Sequence, residues 1–128
     1  MNSCIIGIGS NIDPEKNIER VLDLLRKEVR VVQVSSFVKT APLGMADQPD
    51  FINGAVKAET ATGADEFRRY LKELEDRLGR DRSQPKSGPR CIDLDILVWN
   101  GVVVDNDYYT RDFLRDAAAE LGFTPFTS

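Results

Sequence analysis

The sequence predicts an α/β (α+β) fold of the ferredoxin-like kind, a β-α-β-β-α-β sandwich with an antiparallel sheet. Three observations lead there. Four strand-like apolar runs are separated by two stretches with helical apolar spacing. Each helical stretch lies between two strand-like runs, the order of a split βαβ unit. Loops rich in Pro, Gly and charged residues punctuate the rest.

The first element, "CIIGIGS" (4–10), is a short apolar run closed by Gly9-Ser10-Asn11, a buried strand entering a turn. Asp13-Pro14-Glu15 then has the form of an N-cap, an N1 proline and an acidic first turn. Ile18, Val21, Leu22 and Leu25 follow at i, i+3, i+4, i+7, which predicts an amphipathic helix over 14–27. "VRVVQVSSFV" (29–38) is rich in β-branched residues and reads as the second strand. "TAPLGMADQPD" (40–50) is a loop, and "FINGAVKAET" (51–60) the third strand, with Phe51, Asn53 and Ala55 on one face.

Thr62-x-x-Asp65 has the form of a capping box before a second helix. The apolar stripe of that helix is Phe67, Tyr70, Leu71, Leu74 and Leu78, and Gly79 is its stop. "RDRSQPKSGPR" (80–90) is a polar, basic loop, and "CIDLDILVWNGVVV" (91–104) is the fourth strand with its exit. In this topology the first strand is central, with the third and fourth antiparallel on either side. Gly9, Ser10 and Asn11 then meet the starts of both neighbours at one rim, which gathers Phe51, Asn53, Asp93 and Asp95.

Composition limits what that rim does. The 128 residues read as one domain, 1–128, with 41% hydrophobic and 30% charged residues, as in soluble globular proteins. A net charge of -4 speaks against a general polyanion binder and leaves room for a local basic patch. No run approaches the ~20 apolar residues of a membrane span, and no basic-then-apolar leader opens the chain, so the expected location is the cytoplasm. Cys4 and Cys91 are too few for a disulfide framework or zinc site and read as small hydrophobes. The absence of histidine removes His triads, His-ligated metals and a His base. Carboxylates, Lys, Arg, hydroxyls or metal ions must carry any chemistry.

Asp93 and Asp95 point the same way from one strand, with Cα atoms about 7 Å apart. Two readings compete: acids exposed to water, or ligands of a hard cation such as Mg²⁺, which takes one or two carboxylates plus waters and phosphate oxygens. Arg80, Arg82, Lys86 and Arg90 add a phosphate-binding character to the adjacent loop, against the alternative of a solvated basic loop. Phe51 and Asn53 suit a planar, nitrogen-rich heterocycle, or else a core aromatic and a turn-stabilising amide. The Gly9-Ser10-Asn11 turn lacks a P-loop's length and lysine, and reads as an element that positions the rim.

"IGIGSN", "TAPLG" with "DQPDFINGAV", and "GPRCIDLDIL" together resemble the 6-hydroxymethyl-7,8-dihydropterin pyrophosphokinases of folate biosynthesis, over about residues 3 to 104. The resemblance implies a ferredoxin-like sandwich, two Mg²⁺ ions, ATP as co-substrate, and transfer of pyrophosphate to the pterin hydroxymethyl group with release of AMP. It implies Asp93 and Asp95 as metal ligands, with Asp95, Arg80, Arg82 and Arg90 in catalysis. Thr40, Leu43, Phe51, Asn53 and Phe113 fall on pterin positions, Arg82, Arg90 and Arg111 on ATP positions. Glu75 falls at a frequently acidic position with no role the residues assign. Ser87 replaces a common loop tryptophan, and the divergent tail, 105–128, lacks a Pro-His-Tyr stretch. "TRDF" preserves an Arg-x-Phe pattern there. The implied partners are small molecules, with neither nucleic acid nor membrane, for a monomer or weak homo-oligomer. The alternative is a non-catalytic pterin- or nucleotide-binding homologue that has lost ATP contacts.

Overall fold

The computed structural model describes residues 1–41, 47–79 and 91–125. It has the α/β, ferredoxin-like arrangement that the sequence predicts. The elements are β1 (Asn2–Ser10), α1 (Pro14–Glu28), β2 (Arg30–Val34), β3 (Val38–Thr40), β4 (Phe51–Thr60), α2 (Ala64–Arg77), β5 (Asp93–Trp99), β6 (Val102–Val103), α3 (Asp107–Thr110) and α4 (Asp112–Glu120). They form a six-stranded antiparallel sheet in the order β2-β4-β1-β5-β6, with β3 also on β4. β1 is central between β4 and β5, as expected.

Alternation along β1 divides the core between two faces. Cys4, Ile6 and Ile8 face α1 and α2 and pack with Val21, Leu25, Phe67, Leu71 and Leu74. Burial pushes the Cys4 thiol up to about 12, so it behaves as a hydrophobe. Ile5 faces the other way, into a cluster with Ala55, Leu97, Leu114, Ala117 and Leu121. The C-terminal helices therefore cover part of the sheet's second face, where the sequence reading placed no element.

Four local expectations need correction. The run 29–38 is two strands, because the Ser35 hydroxyl accepts the Ala55 amide at 2.8 Å where a backbone carbonyl would otherwise stand. The run 91–104 is a hairpin: Asn100 and Gly101 both have positive φ (49° and 83°), as a type I′ turn requires, and β6 folds back on Val98 and Trp99. Asp13 sits at the N-cap of α1 in a left-handed conformation, but its side chain makes no capping hydrogen bond. The Thr62 capping box does not form either: Gly63 is the N-cap of α2, and the Thr62 hydroxyl lies 3.1 Å from that of Thr60. Gly79 does end α2, with φ +90°.

Gly54 of β4 lies beneath the ring of Phe37, and a Cβ there would stand 2.6–2.7 Å from three ring atoms, Cγ included. The ring is packed against the core and cannot withdraw by a simple end rotation. Gly54→Ala is therefore expected to destabilise the fold by about 1–3 kcal/mol, the usual range for overpacking, measured by urea denaturation. An unchanged midpoint would contradict this packing.

Candidate active site

The register of β1 builds one rim of the sheet. Gly9 pairs with Asn53 on β4 and with Asp93 on β5, while Gly7 pairs with Ala55 and Asp95. Asn53, Gly9 and Asp93 thus form a row across three strands on one face, with Phe51 and Asp95 on the same face one step away. The missing side chain at Gly9 matters sterically: a Cβ would come within 2.6 Å of Asn53 Oδ1. The Asn53 amide donates through Nδ2 to Thr40 Oγ1 at 2.6 Å, and Thr40 pairs with Phe51. Thr40, Phe51 and Asn53 are therefore brought together. Ile5, Ala55 and Leu97 of this face are covered by the C-terminal cluster, and half-buried Phe113 on the first turn of α4 packs against it.

The turn after β1 fastens the segments around this rim. Ser10 is fully buried and its hydroxyl donates to the Cys91 carbonyl at the entry to β5. Asn11, also buried, donates through Nδ2 to Gln48 Oε1 at 2.8 Å and to the Pro49 carbonyl at 3.1 Å. Buried polar groups require such partners, so "GSN" ties the approaches to β4 and β5 to a single point. This agrees with its reading as a positioning turn. Leu43, Arg80, Arg82 and Arg90 lie outside the described residues, as do Lys86 and Ser87. Arg111, expected at phosphate, makes an ion pair with Asp107 at 3.8 Å.

Lys72 escaped the sequence reading, and Glu75 stands in it without a role. Ahead of Leu97, the outer edge of β5 is not covered by β6, whose ladder pairs with Val98 and Trp99. At Leu94, α2 substitutes for a neighbouring strand. The Leu94 amide donates to Glu75 Oε2 at 2.7 Å, and the Leu94 carbonyl accepts from Lys72 Nζ at 3.4 Å. Glu75 is fully buried. Lys72 also lies 3.5 Å from Glu75 Oε2 and 3.7 Å from Asp95 Oδ1. The signal within the residues is the i, i+3 pair Lys72 and Glu75, with Glu75 four residues after Leu71 of the apolar stripe.

Desolvation, with the neighbouring Asp93 charge next, pushes the Asp95 carboxyl up to about 6, against the pull of Lys72. The donor set, two half-exposed carboxylates on one strand face, fits a hard cation that keeps part of its own water or phosphate shell. Among the described residues there is no group of three or more His, Cys, Asp or Glu arranged to hold a metal, so an all-protein cage is not offered. A cleft of about 430 Å³ at the opposite end of the sheet is lined by Glu28, Glu66, Glu73, Phe67 and Tyr70. Hydrogen bonds from Arg77 and Tyr70 hold Glu28 below the usual carboxylate range. Arg69 also lines that cleft, and Glu28 is paired with Arg77 at 2.9 Å.

A family model described as 7,8-dihydro-6-hydroxymethylpterin-pyrophosphokinase matches residues 5–122, which takes in 105–122 of the tail that reads as divergent from sequence. The 2-amino-4-hydroxy-6-hydroxymethyldihydropteridine pyrophosphokinase of Bacillus subtilis is 39% identical over 131 residues, covering 94% of this chain and 78% of that protein. The protein of the same name from Haemophilus influenzae is 33% identical, with 86% and 70% covered. The mitochondrial folate synthesis bifunctional protein of Pisum sativum is 39% identical over 83% of this chain, which spans 21% of that longer protein.

The Asp95 shift gives a signed expectation. Its folded pKa, about 6, lies above the ordinary value of 3.8, so the metal-free fold holds the proton more tightly than the unfolded chain. Stability should fall as pH rises through that window, then level off. Asp95→Asn removes this contribution. The stability difference between variant and wild type should shift in favour of the variant between about pH 4 and 6, measured by denaturation at each pH. A constant difference would contradict the desolvated placement of Asp95.

Proposed function

The chain belongs to the 7,8-dihydro-6-hydroxymethylpterin-pyrophosphokinase family, and from that premise we propose that it transfers pyrophosphate from ATP to 6-hydroxymethyl-7,8-dihydropterin, releasing AMP, in folate biosynthesis. The single observation that carries the reading is the row Asn53–Gly9–Asp93. It sets Asn53 and Phe51 of β4 beside the acids of β5, with Asn53 Oδ1 lying over the bare backbone of Gly9.

On this reading the pterin stacks on Phe51, and the Asn53 amide, oriented by Thr40, meets its polar edge. Leu43 and Phe113 complete the pocket. Arg80, Arg82, Arg90 and Arg111 hold the phosphates through their planar forks. Asp93 and Asp95 would hold two Mg²⁺ ions, and these would supply positive charge to the triphosphate as negative charge develops. The hydroxymethyl oxygen attacks the β-phosphorus, the bond to the α-phosphate oxygen breaks, and the hydroxyl proton passes to Asp95 or to solvent. With no histidine in the chain, alignment and electrostatics supply most of the acceleration. The reaction is tested by incubating the protein with Mg-ATP and the hydroxymethyl dihydropterin and measuring AMP. Pterin fluorescence quenching without AMP would instead support a binding homologue.

Two substitutions separate stacking from amide orientation. Phe51→Ala should weaken pterin binding by about 1–3 kcal/mol, as for other aromatic–base stacks, with Mg-ATP binding nearly unchanged. Gly9→Ala meets only the far end of a flexible side chain, so the fold should hold while Asn53 is turned from its position. Losing one or two amide hydrogen bonds, at about 0.5–1.5 kcal/mol each, should weaken pterin binding several-fold in a calorimetric titration. Wild-type pterin affinity in both variants would sink the assignment of this face.

A further inference from the structure

We propose that Lys72 is a tethered cation that occupies the Asp95 carboxylate in the metal-free protein and is displaced when a divalent ion binds. The inference rests on the reading of Asp93 and Asp95 as the metal-holding acids, and extends it to a residue outside that set.

Three acids, Asp93, Asp95 and Glu75, converge on the edge of β5 around Leu94, and like charges held so close repel. The Lys72 ammonium stands between two of them, 3.7 Å from Asp95 Oδ1 and 3.5 Å from Glu75 Oε2. These two acids differ in kind. Glu75 is fully buried and committed to the Leu94 amide, whereas the Asp95 side chain is 43% exposed and reachable by a hydrated ion. A half-exposed ammonium on a half-exposed carboxylate is weakly held. A divalent ion brings twice the charge to the same oxygen and competes well for it. The displaced ammonium keeps Glu75 and the Leu94 carbonyl as partners, so it is not left stranded. Lys72 thus limits repulsion among the acids before the metal arrives, at some expense in metal affinity.

The test is a titration of the full chain with Mn²⁺ alone, without nucleotide, following free Mn²⁺ by electron paramagnetic resonance. Lys72→Gln retains a donor for the Leu94 carbonyl and removes the charge, and should tighten Mn²⁺ binding by about three- to tenfold at low ionic strength. Lys72→Arg retains the charge and should bind Mn²⁺ as wild type does. Unchanged or weaker binding in Lys72→Gln, with Asp95→Asn abolishing the site, overturns the role of Lys72 alone. Wild-type Mn²⁺ binding in Asp95→Asn overturns the metal reading itself, and this inference with it.

Discussion

The backbone of Leu94 is the point on which the site depends. It lies between the two acids, on a stretch of β5 that has β1 on one side and lacks the β6 ladder on the other. An open edge would leave its amide and carbonyl to water and let the strand end fray. A buried Glu75 carboxylate and the Lys72 ammonium take both groups from the side of α2. A buried carboxylate that accepts a backbone amide is costly to remove, because the amide is then left without its partner. The helix thereby fixes Leu94, and Asp93 and Asp95 are held on its two sides. Glu75 has a physical role here: it completes the sheet edge.

From that edge the rest of the face follows by alternation. Asp93 and Asp95 share the side of the sheet on which Gly7 and Gly9, then Asn53 and Phe51, lie. Farther along the same strands the positions become Ile5, Ala55 and Leu97, and there the C-terminal cluster closes over the sheet. One face therefore does two jobs, core at one end and open site at the other. α4 is fastened where it ends, since Glu120 Oε1 accepts from the Ser36 amide and hydroxyl, both at 2.8 Å. The tail that looks divergent in sequence is in this way part of the sheet's packing.

Much of this was legible in the residues, for reasons that differ from element to element. The stripes of α1 and α2 and the apolar runs of β1, β4 and β5 carry their period openly, so order and topology followed. The rim followed from antiparallel pairing around β1. What was hidden depended on side chains replacing backbone. Ser35 breaks a β-branched run because its hydroxyl takes the Ala55 amide. Lys72 and Glu75 look like ordinary helix charges until the edge of β5 is seen beside them. Asp13 and Thr62 have the composition of caps, yet neither side chain makes the capping bond. Asn100-Gly101 carries a hairpin signal in its composition, but the apolar runs on both sides of it read as a single strand.

The proposed reaction requires a divalent ion at the Gly9–Asp93 rim, across from Asn53. The most direct measurement is the paramagnetic broadening of backbone amide resonances by Mn²⁺ in the presence of ATP. Binding at this rim predicts that Gly9, Ser10, Asn53 and Asp95 lose intensity first, while Asn2, Thr60 and Thr62 at the far end of the sheet keep theirs. Broadening centred on Thr60, Thr62 and the acidic cleft, with Gly9 and Asn53 unaffected, would contradict it.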